Sequence, residues 1–563
     1  MQARSRNNSR VVQSVNGQAM IDHGSRLSIS FPIRILLILL CSAPSIAQQL
    51  TGTWEGTYSE SRRVIVFAMD FDSETKGTLQ ILGKQIPIKV MRAEGGGVEI
   101  RTEGTDPTVF VGTKQGKVIT GELRYRDTTL SFRMEREPPL ERPHSRAEAW
   151  RQDLDYAQRK LLRLETSFTP ASGEQFQNSI ANLKLSITTL DDPHLIVELA
   201  RTLAAIGNAH TRLYLLRNRT DLRRLPIRVW WFRDKLHIIR TSPELTRLLG
   251  CEVARIASVP VLRAKQMVAG LYAGSEGWRD YMSTYTLTSP EILYGTNIAP
   301  AMESIRWDLN CNGEALSVEL KPQPLKRSTA PVESWWDLAP DAPPTLENGK
   351  SMSLPVVPVY LAHPERSYWF QFLPEIAALC FQYSRSASDQ QHPIAQFEEE
   401  LMRAMTDHPS AALVVDLRFN TGGDGNIGMQ MMKNLQSASE SRKVYVITGR
   451  STFSAGLFHA VQWKHWGKAI FVGEEPGDGL EFFAEGGNIL LPNSKLTIHF
   501  ANARHCYSVA SKTPSSECFN ELRVDSLPIP LPATNSFEQY RTGSDAAFDT
   551  IVPDLKKAAS NRR

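Results

Sequence analysis

Metal-binding motifs are missing from this sequence. It has six cysteines and twelve histidines in 563 residues, but no C-x-x-C pair and no H-E-x-x-H segment, so no metal site and no cofactor is predicted. Excess charge is also small: the formal net charge of +4 gives no reason to predict nucleic acid as a partner. A composition of 41% apolar and 22% charged residues is typical of globular chains, and the length favours roughly three or four domains.

Long apolar runs are missing as well. The apolar segment Ile35–Ala43 is too short to cross a bilayer. Arg26 and Arg34 precede it, and Ser45-Ile-Ala47 has the small-x-small form of a signal-peptidase site, so residues 1–47 are predicted to be a signal peptide. The sequence therefore predicts an exported protein, periplasmic or extracellular, with no membrane span in the mature chain.

Five cysteines remain after the predicted cleavage. An oxidising compartment would permit a disulfide between Cys506 and Cys518, and a second between Cys251 and Cys311. Unpaired buried thiols are the alternative for these four residues. Cys380 lies within an apolar run and is predicted to be a core residue.

The chain before the C-terminal third divides into three regions. Residues 50–137 consist of short alternating runs broken by Gly, Asp and Asn, which predicts an all-β accessory domain, an antiparallel barrel or sandwich of about eight strands. Residues 145–222 contain apolar residues at helical spacing, and residues 223–325 begin and end with alternating strands. The chain is therefore predicted to be a multidomain α+β protein with an α/β core at 350–558.

Two strand–turn–helix units in succession carry the candidate chemistry. The apolar run Ala411–Val415 is followed by the glycine-rich turn Asn420–Gly425, and Val444–Thr448 is followed by a turn in which Ser454 opens a helix. Such units predict parallel strands, whose carboxyl ends bring both turns to one edge of the sheet. A serine beside unobstructed glycine amides is the arrangement that acyl transfer requires, so Ser454 is the candidate nucleophile. The alternative is that Ser454 only caps its helix.

The same segments resemble those of a known family. Asp416-Leu-Arg-Phe-Asn-Thr-Gly-Gly423 and Thr452-Phe-Ser454-Ala-Gly are similar to the signature and nucleophile turns of the S41 peptidases, the C-terminal processing and tricorn-type serine proteases. The resemblance implies a crotonase- or ClpP-like core at 350–558 and a PDZ-like region at 223–325. It also implies an oxyanion hole formed by the amides of Ala455 and of Gly422 or Gly423.

The predicted base follows from a departure from part of that family. Processing peptidases carry a lysine in a later Gly-Lys-Gly turn, whereas this chain has Pro476-Gly-Asp478-Gly479 and no lysine between Lys468 and Lys495. The segment Gly207–Leu213 is similar to a family element whose histidine acts as base in tricorn-type members, so His210 is predicted to be the general base. The alternative is that His210 is a structural histidine.

The acid that orients the base is left open by the sequence. Glu517 and Glu521 lie near the position that the resemblance implies, and Glu485 lies in a conspicuous Ala-Glu-Gly-Gly turn. His459 is expected to point away from Ser454, and His505 is a weaker candidate base. Two further residues of the signature, Asp416 and Arg418, are predicted to be structural.

Two other functions compete with a serine peptidase acting on peptides or proteins. The segment Gly423-Asp-Gly425-Asn-Ile-Gly428 fits the G-x-G-x-x-G pattern of dinucleotide sites, but no acidic residue follows the next strand to bind a ribose. A catalytically inactive S41-like scaffold that binds peptides or small apolar ligands is the second alternative, and the missing lysine favours it. The oligomeric state is not predicted.

Overall fold

The computed structural model describes residues 50–560 with short gaps, so the predicted signal peptide at 1–47 lies outside the described residues. The gaps are residues 61, 74, 83, 95, 217–219, 234, 324–332, 341–345 and 347. Within the described residues, no helix is long and apolar enough to cross a membrane. The same part of the chain contains no cluster of three or more His, Cys, Asp or Glu side chains placed to hold a metal ion.

An eight-stranded closed antiparallel barrel forms the N-terminal part, which confirms the predicted all-β fold and selects the barrel over the sandwich. Alternate residues of its strands point inward, as in β2, where Ile65, Phe67, Met69 and Phe71 are buried. The strands are β1 Gly52–Glu60, β2 Arg63–Phe71, β3 Lys76–Ile81, β4 Lys84–Glu94, β5 Gly97–Thr102, β6 Val109–Gln115, β7 Val118–Tyr125 and β8 Thr128–Arg136.

Three helices follow the barrel, in the region where helical spacing was predicted. Serine, threonine and aspartate side chains cap their first turns and accept backbone N–H bonds, which fixes where each helix begins. The apolar faces of the three helices pack into one core with the next region. The helices are α1 Arg146–Leu164, α2 Pro170–Leu185 and α3 Asp192–Ala204.

The middle of the chain forms a sheet with the strand order β10-β11-β12-β14-β15 and three helices packed on it. A disulfide between Cys251 and Cys311 joins the loop before β12 to the end of β14. The PDZ-like assignment of this region stays a prediction. The elements are β9 Arg212–Leu213, β10 Ile227–Phe232, β11 Lys235–Thr241, β12 Glu252–Ile256, β13 Val259–Pro260, α4 Val261–Ala269, α5 Glu276–Thr286, α6 Pro290–Gly295, β14 Ile305–Cys311, β15 Glu314–Leu320 and β16 Lys350–Ser351.

The C-terminal part contains the predicted α/β sheet, with the order β17-β18-β19-β20-β21-β27. Strands β18 to β21 pair in parallel, and a helix connects each strand to the next. All five residues of β19 and all five of β20 are buried. The elements are β17 Tyr368–Leu373, β18 Ala378–Tyr383, α7 Ile394–Asp407, β19 Ala412–Asp416, α8 Met429–Ala438, β20 Val444–Thr448, α9 Ala455–His465 and β21 Ala469–Gly473.

Two small sheets lie beyond the main sheet, with the orders β22-β25-β26 and β23-β24-β9. The second includes β9, so it connects the end of the helical region to the core. A disulfide between Cys506 and Cys518 joins β25 to β26, and Cys380 is a free buried cysteine. The elements are β22 Glu481–Ala484, β23 Gly487–Leu490, β24 Thr497–Phe500, β25 Ala503–Ser508, β26 Cys518–Val524, β27 Leu531–Pro532, α10 Phe537–Thr542 and α11 Ala546–Ser560.

Candidate active site

Ser454 lies in a strained turn between β20 and α9. Its backbone has φ 55° and ψ −121°, a conformation that a residue with a side chain rarely adopts. The turn is tight because Gly456 packs against the carbonyl oxygen of Asn420, which would lie 2.2 Å from a Cβ atom at that glycine. The side chain of Ser454 caps no backbone N–H of α9, so the capping alternative does not describe this serine.

The glycine turn after β19 contacts Ser454 directly. A Cβ atom at Gly422 would lie 2.7 Å from the Cβ atom of Ser454, so only glycine fits there. The Gly422 N–H donates a 3.0 Å bond to the side-chain oxygen of Asn420. Among the hydrogen bonds of the described residues, the N–H groups of Gly423 and Ala455 have no acceptor. These two amides, and not that of Gly422, are therefore the available donors of the predicted oxyanion hole.

His210 reaches this region from the helical part of the chain. It lies in the loop between α3 and β9, and β9 pairs with β24, where Leu213 lies opposite Ile498. The side-chain amide of Asn208 holds the loop: its oxygen accepts from the N–H of Phe483 at 3.3 Å, and its nitrogen donates to Thr211 at 2.8 Å. Asn208 thus fixes the histidine loop to β22.

Stacked rings enclose the imidazole of His210. Phe453 lies on one face, with centroids 4.4 Å apart and planes at 26°, and Phe482 stacks at 5.2 Å and 8°. The stack continues through Trp278 at 3.9 Å from Phe453 and through His505 at 4.7 Å from Phe482. Phe453 directly precedes Ser454, so the imidazole packs against the residue that adjoins the serine. Burial, with the nearby charges of Arg212 and His505, holds the pKa of His210 well below its usual 6.5.

Asp478 lies beside His210 and was not predicted as a site residue. Its Oδ2 atom is 3.4 Å from Nδ1 of His210, and only 7% of each side chain is exposed. The turn that carries it is fixed by the N–H of Gly477, which donates to the carbonyl of Thr452 at 2.8 Å. Burial raises the pKa of Asp478 to about 7. The sequence did contain a signal for this acid, because Asp478 lies in the Pro476–Gly479 turn, where the sequence departs from the Gly-Lys-Gly pattern.

Neither ring nitrogen of His210, nor Oδ2 of Asp478, has a hydrogen-bond partner among the described residues. Buried polar atoms are nearly always hydrogen-bonded in folded proteins, and leaving one unpaired costs about 1–3 kcal/mol. The lowered pKa keeps the buried imidazole neutral near pH 7, so one ring nitrogen carries a proton and the other has a lone pair that can accept one. This is the state that a general base requires.

A second histidine–acid pair adjoins the first. Nε2 of His505 lies 3.4 Å from Oε1 of Glu485, and Nδ1 of His505 lies 2.9 Å from the hydroxyl of Tyr507. The contact with His505 holds the pKa of Glu485 below its ordinary value, and Glu485 has a left-handed backbone with φ 60°. Glu485, one of the three candidate acids, therefore lies in the neighbourhood of His210, but its direct partner is His505.

The other two candidate acids lie elsewhere. Glu521 accepts from Ser515 at 2.9 Å and from Arg523 at 2.8 Å, and Glu517 is exposed in the turn before β26. Neither carboxylate contacts His210 in the described structure, whereas Asp478 lies 3.4 Å from it. Glu517 lies in the turn that precedes β26, and Glu521 lies on β26, which pairs with β25. His459 lies inside α9, where its Nδ1 is 2.9 Å from Oε1 of Gln462; that it points away from Ser454 stays a prediction.

Asp416 and Arg418 form the structural cluster that was predicted. The guanidinium of Arg418 bonds to both carboxylate oxygens of Asp416 at 3.0 and 2.9 Å and to both of Asp545 at 2.8 and 2.9 Å. This cluster ties the start of the glycine turn to the loop before α11.

The glycines of the G-x-G-x-x-G segment are explained by contacts within the protein. A Cβ atom at Gly423 would lie 2.2 Å from the carbonyl oxygen of Ser386, and one at Gly428 would lie 2.8 Å from the hydroxyl of Tyr383. Gly425 approaches Phe458, at 3.4 Å from an added Cβ. The pattern therefore reflects close packing around α9 and β18, and nothing in it requires a dinucleotide.

Comparisons with known proteins give structural similarity only. No family model and no curated protein sequence matches the chain. The structure is similar to mature CPAF complexed with lactacystin, with 11% identity, a TM-score of 0.49, and coverage of 74% of this chain and 98% of that one. It is also similar to a putative S41 protease from Bacteroides fragilis, with 11% identity, a TM-score of 0.31, and coverage of 76% and 100%.

A third similar structure is the tricorn protease, with 13% identity, a TM-score of 0.34, and coverage of 89% of this chain and 46% of that one. These solved structures are S41-type peptidases, the family that the motifs of this chain resemble. Because every TM-score is below 0.5 and every identity is below 15%, no residue role is transferred from them.

Proposed function

We propose that this chain is an exported serine hydrolase of the S41 type that cleaves peptide bonds, with Ser454 as nucleophile and His210 as general base. The single observation that carries the proposal is the strained serine turn at the start of α9, packed beside a buried histidine whose ring nitrogens have no partner among the described residues. Strain and unpaired buried polar atoms are both costly, and active sites are where they are retained.

The proposed proton path uses the two nitrogens of His210. Nδ1 lies 3.4 Å from Asp478, so Nε2 is the nitrogen that would take the proton of the Ser454 hydroxyl and return it to the leaving amine. The oxygen of the scissile carbonyl, which becomes negative as the serine attacks, would accept from the amides of Gly423 and Ala455. The start of α9 adds the positive end of a helix dipole at the same place.

Asp478 is proposed to orient His210 and to stabilise the imidazolium that forms during attack. Its pKa of about 7 means that it gains its negative charge as the pH rises through neutrality. A negative charge beside Nδ1 stabilises the positively charged ring, so turnover should rise through about pH 7. Because burial keeps the pKa of His210 well below 6.5, the base itself stays neutral over this range.

The inactive scaffold remains the second candidate, and one observation favours it. The imidazole nitrogens make no hydrogen bond in the described structure, and that includes Ser454, the group that His210 is proposed to activate. A polypeptide-binding protein with this fold would keep the glycine turn and the ring stack for packing. It would show no activated serine.

Labelling with a fluorophosphonate separates the two candidates. The purified mature protein should form a covalent adduct at Ser454, and both Ser454→Ala and His210→Ala should abolish the adduct while keeping the thermal unfolding temperature. Peptide mapping of the labelled protein identifies the modified serine. A folded wild-type protein that takes no label would overturn the hydrolase and favour the scaffold.

A further inference from the structure

A cleft of about 560 Å³ separates the N-terminal barrel from the catalytic part of the chain. Its barrel wall includes Arg63–Ala68 of β2, and its opposite wall includes Glu485–Leu490, the turn before β23 and β23 itself. Helix α1 contributes Tyr156 and Lys160. The volume is in the range of binding sites for ligands of several hundred daltons.

Both long walls of the cleft present strand backbone that is only half paired. β23 pairs with β24 on one side and has no strand partner on its other side among the described residues. In β2, residues 63–66 pair with β1, whereas pairing with β3 begins only at Phe67. An exposed strand edge is a ready template for the backbone of another extended chain.

Apolar side chains lie at the rim and inside the cleft. Leu490 from the core wall is 52% exposed and Leu82 from the barrel wall is 63% exposed, while Val66 and Ile489 line the interior. Large exposed leucines on both walls of one cleft indicate a surface that is covered by a partner. Backbone edges with alternating apolar side chains match an extended polypeptide better than a small polar ligand.

The cleft adjoins the candidate active site at Glu485. This residue lines the cleft, and its carboxylate contacts His505, the last ring of the stack that encloses His210. Asn502 joins the two walls at the same end: its side-chain nitrogen donates to the carbonyl of Val64 in the barrel, and its side-chain oxygen accepts from Gly486 at 2.8 Å. These bonds fix the barrel wall to the core wall at the end of the cleft that adjoins the ring stack.

We propose that the barrel–core cleft binds an extended segment of the substrate polypeptide, added as a strand against β23 and anchored by apolar side chains between Leu82 and Leu490. This proposal rests on the proposed function, because it identifies the occupant as substrate. The N-terminal barrel then forms one wall of the substrate site. Because the cleft binds a segment of extended chain, the protein should prefer unfolded polypeptides to short peptides.

The test measures binding in the absence of turnover. Fluorescein-labelled, reduced and carboxymethylated α-lactalbumin, an unfolded polypeptide, is titrated with Ser454→Ala protein and followed by fluorescence anisotropy. Adding Leu82→Glu and Leu490→Glu should raise the dissociation constant by about tenfold or more, because two apolar anchors are lost and two charges are introduced. Leu185→Glu, at an 80% exposed leucine on α2, is the matched control and should leave it unchanged.

Failure of this inference is distinguishable from failure of the proposed function. If the wild-type protein takes the fluorophosphonate label but the double glutamate variant binds the polypeptide as tightly as its parent, the cleft is not the polypeptide site. No binding to the parent protein overturns the proposal in the same way. If binding depends on the two leucines while no serine is labelled, the cleft proposal holds for a binding scaffold and the hydrolase is wrong. Unchanged thermal unfolding of each variant verifies that the fold is kept.

Discussion

Two buried polar clusters at the same end of the α/β sheet differ in how their hydrogen bonds are satisfied. Around Arg418, the guanidinium makes bonds of 2.8–3.0 Å to Asp416 and Asp545. Around His210, both ring nitrogens and an oxygen of Asp478 have no partner within the described residues. Both clusters are buried, with at most 9% of each side chain exposed, so the difference arises from their chemistry and not from their depth.

The contrast teaches how to separate structural from functional charge in this fold. A buried charge that is fully bonded stabilises the arrangement it belongs to, and removing one partner leaves the other uncompensated. A buried histidine–acid pair with unpaired atoms lowers the stability of the fold. The presence of such a pair indicates a function in binding or proton transfer. Substitutions in the His210 cluster should therefore lower turnover, whereas substitutions in the Arg418 cluster should lower the free energy of unfolding.

The largest expected effect is at Ser454. Ser454→Ala should lower turnover by a factor on the order of 10⁴ or more, because no other group at the turn can attack. Ser454→Gly should be equally inactive but more stable, by about 1 kcal/mol, since glycine relieves the left-handed backbone. Steady-state hydrolysis and thermal unfolding measure the two effects. Ser437→Ala, at an exposed serine on α8, is the control, and turnover that survives in Ser454→Ala would contradict the assignment.

Asp478→Asn tests the unsatisfied cluster through its pH dependence. The variant should lower kcat by about 10²–10⁴-fold and remove the rise in turnover through about pH 7, because no carboxylate remains to ionise there. The pH profile of kcat measures both effects. Glu485→Gln is the matched comparison, and a larger loss in Glu485→Gln than in Asp478→Asn would transfer the orienting role to Glu485.

Arg418→Met tests the satisfied cluster. Removing the guanidinium leaves two carboxylates buried without their partner, so the free energy of unfolding of the core should fall by about 3–5 kcal/mol. The protein that remains folded should still take the fluorophosphonate label. Chemical unfolding followed by intrinsic fluorescence measures the change, with Arg541→Met, in an exposed pair with Glu538, as the control. If Arg418→Met lost labelling but kept its stability, the Arg418 cluster would have to be assigned a functional and not a structural role.

Phe482→Leu sharpens the role of the ring stack. Losing one stacked face should lower kcat by about tenfold and admit water, which would lower the pKa of Asp478 toward its ordinary value and shift the rise in turnover to lower pH. Phe482→Tyr keeps the ring and should restore most of kcat. Phe483→Leu, the next residue on β22, is the control because its ring packs under Arg504 instead. Equal effects of the two leucine substitutions would indicate a general packing defect.

Glu521→Gln should have the smallest effect. Its carboxylate is satisfied by Ser515 and Arg523 on the surface of β26, so kcat and its pH profile should not change. The comparison with Asp478→Asn then isolates the acid that acts on His210. A large loss of kcat in Glu521→Gln would show that the resemblance to the family located the acid better than the contacts do.

Local patterns were sufficient for much of this fold. The buried runs at β19 and β20, with glycine or serine turns at their ends, predicted the parallel strands and placed Ser454 at the start of a helix. Alternating runs before residue 137 predicted the eight strands of the barrel. These features depend on neighbours in the chain, through propensity and periodicity, which is why one sequence suffices.

The acid was missed for a different reason. Asp478 lies in a short polar turn whose sequence matches many exposed turns, and its neighbour His210 comes from a distant part of the chain. Glu517 and Glu521 had the expected spacing, but Glu517 lies in an exposed turn and Glu521 bonds to Ser515 and Arg523. Spacing along a chain cannot report which side of a strand a residue occupies once the register is shifted by bulges, as it is in β26.

The sequence by itself determined the order of the elements, the nucleophile candidate and the family resemblance, since each is written in a contiguous segment. Only the tertiary structure decided which acid lies beside His210, because β9 pairs with β24 near the loop of His210 and the turn after β21 places Asp478 3.4 Å from its Nδ1. Only the tertiary structure set the barrel beside β23 to form the cleft. Contacts between distant segments depend on packing in three dimensions, and that information is absent from any local pattern.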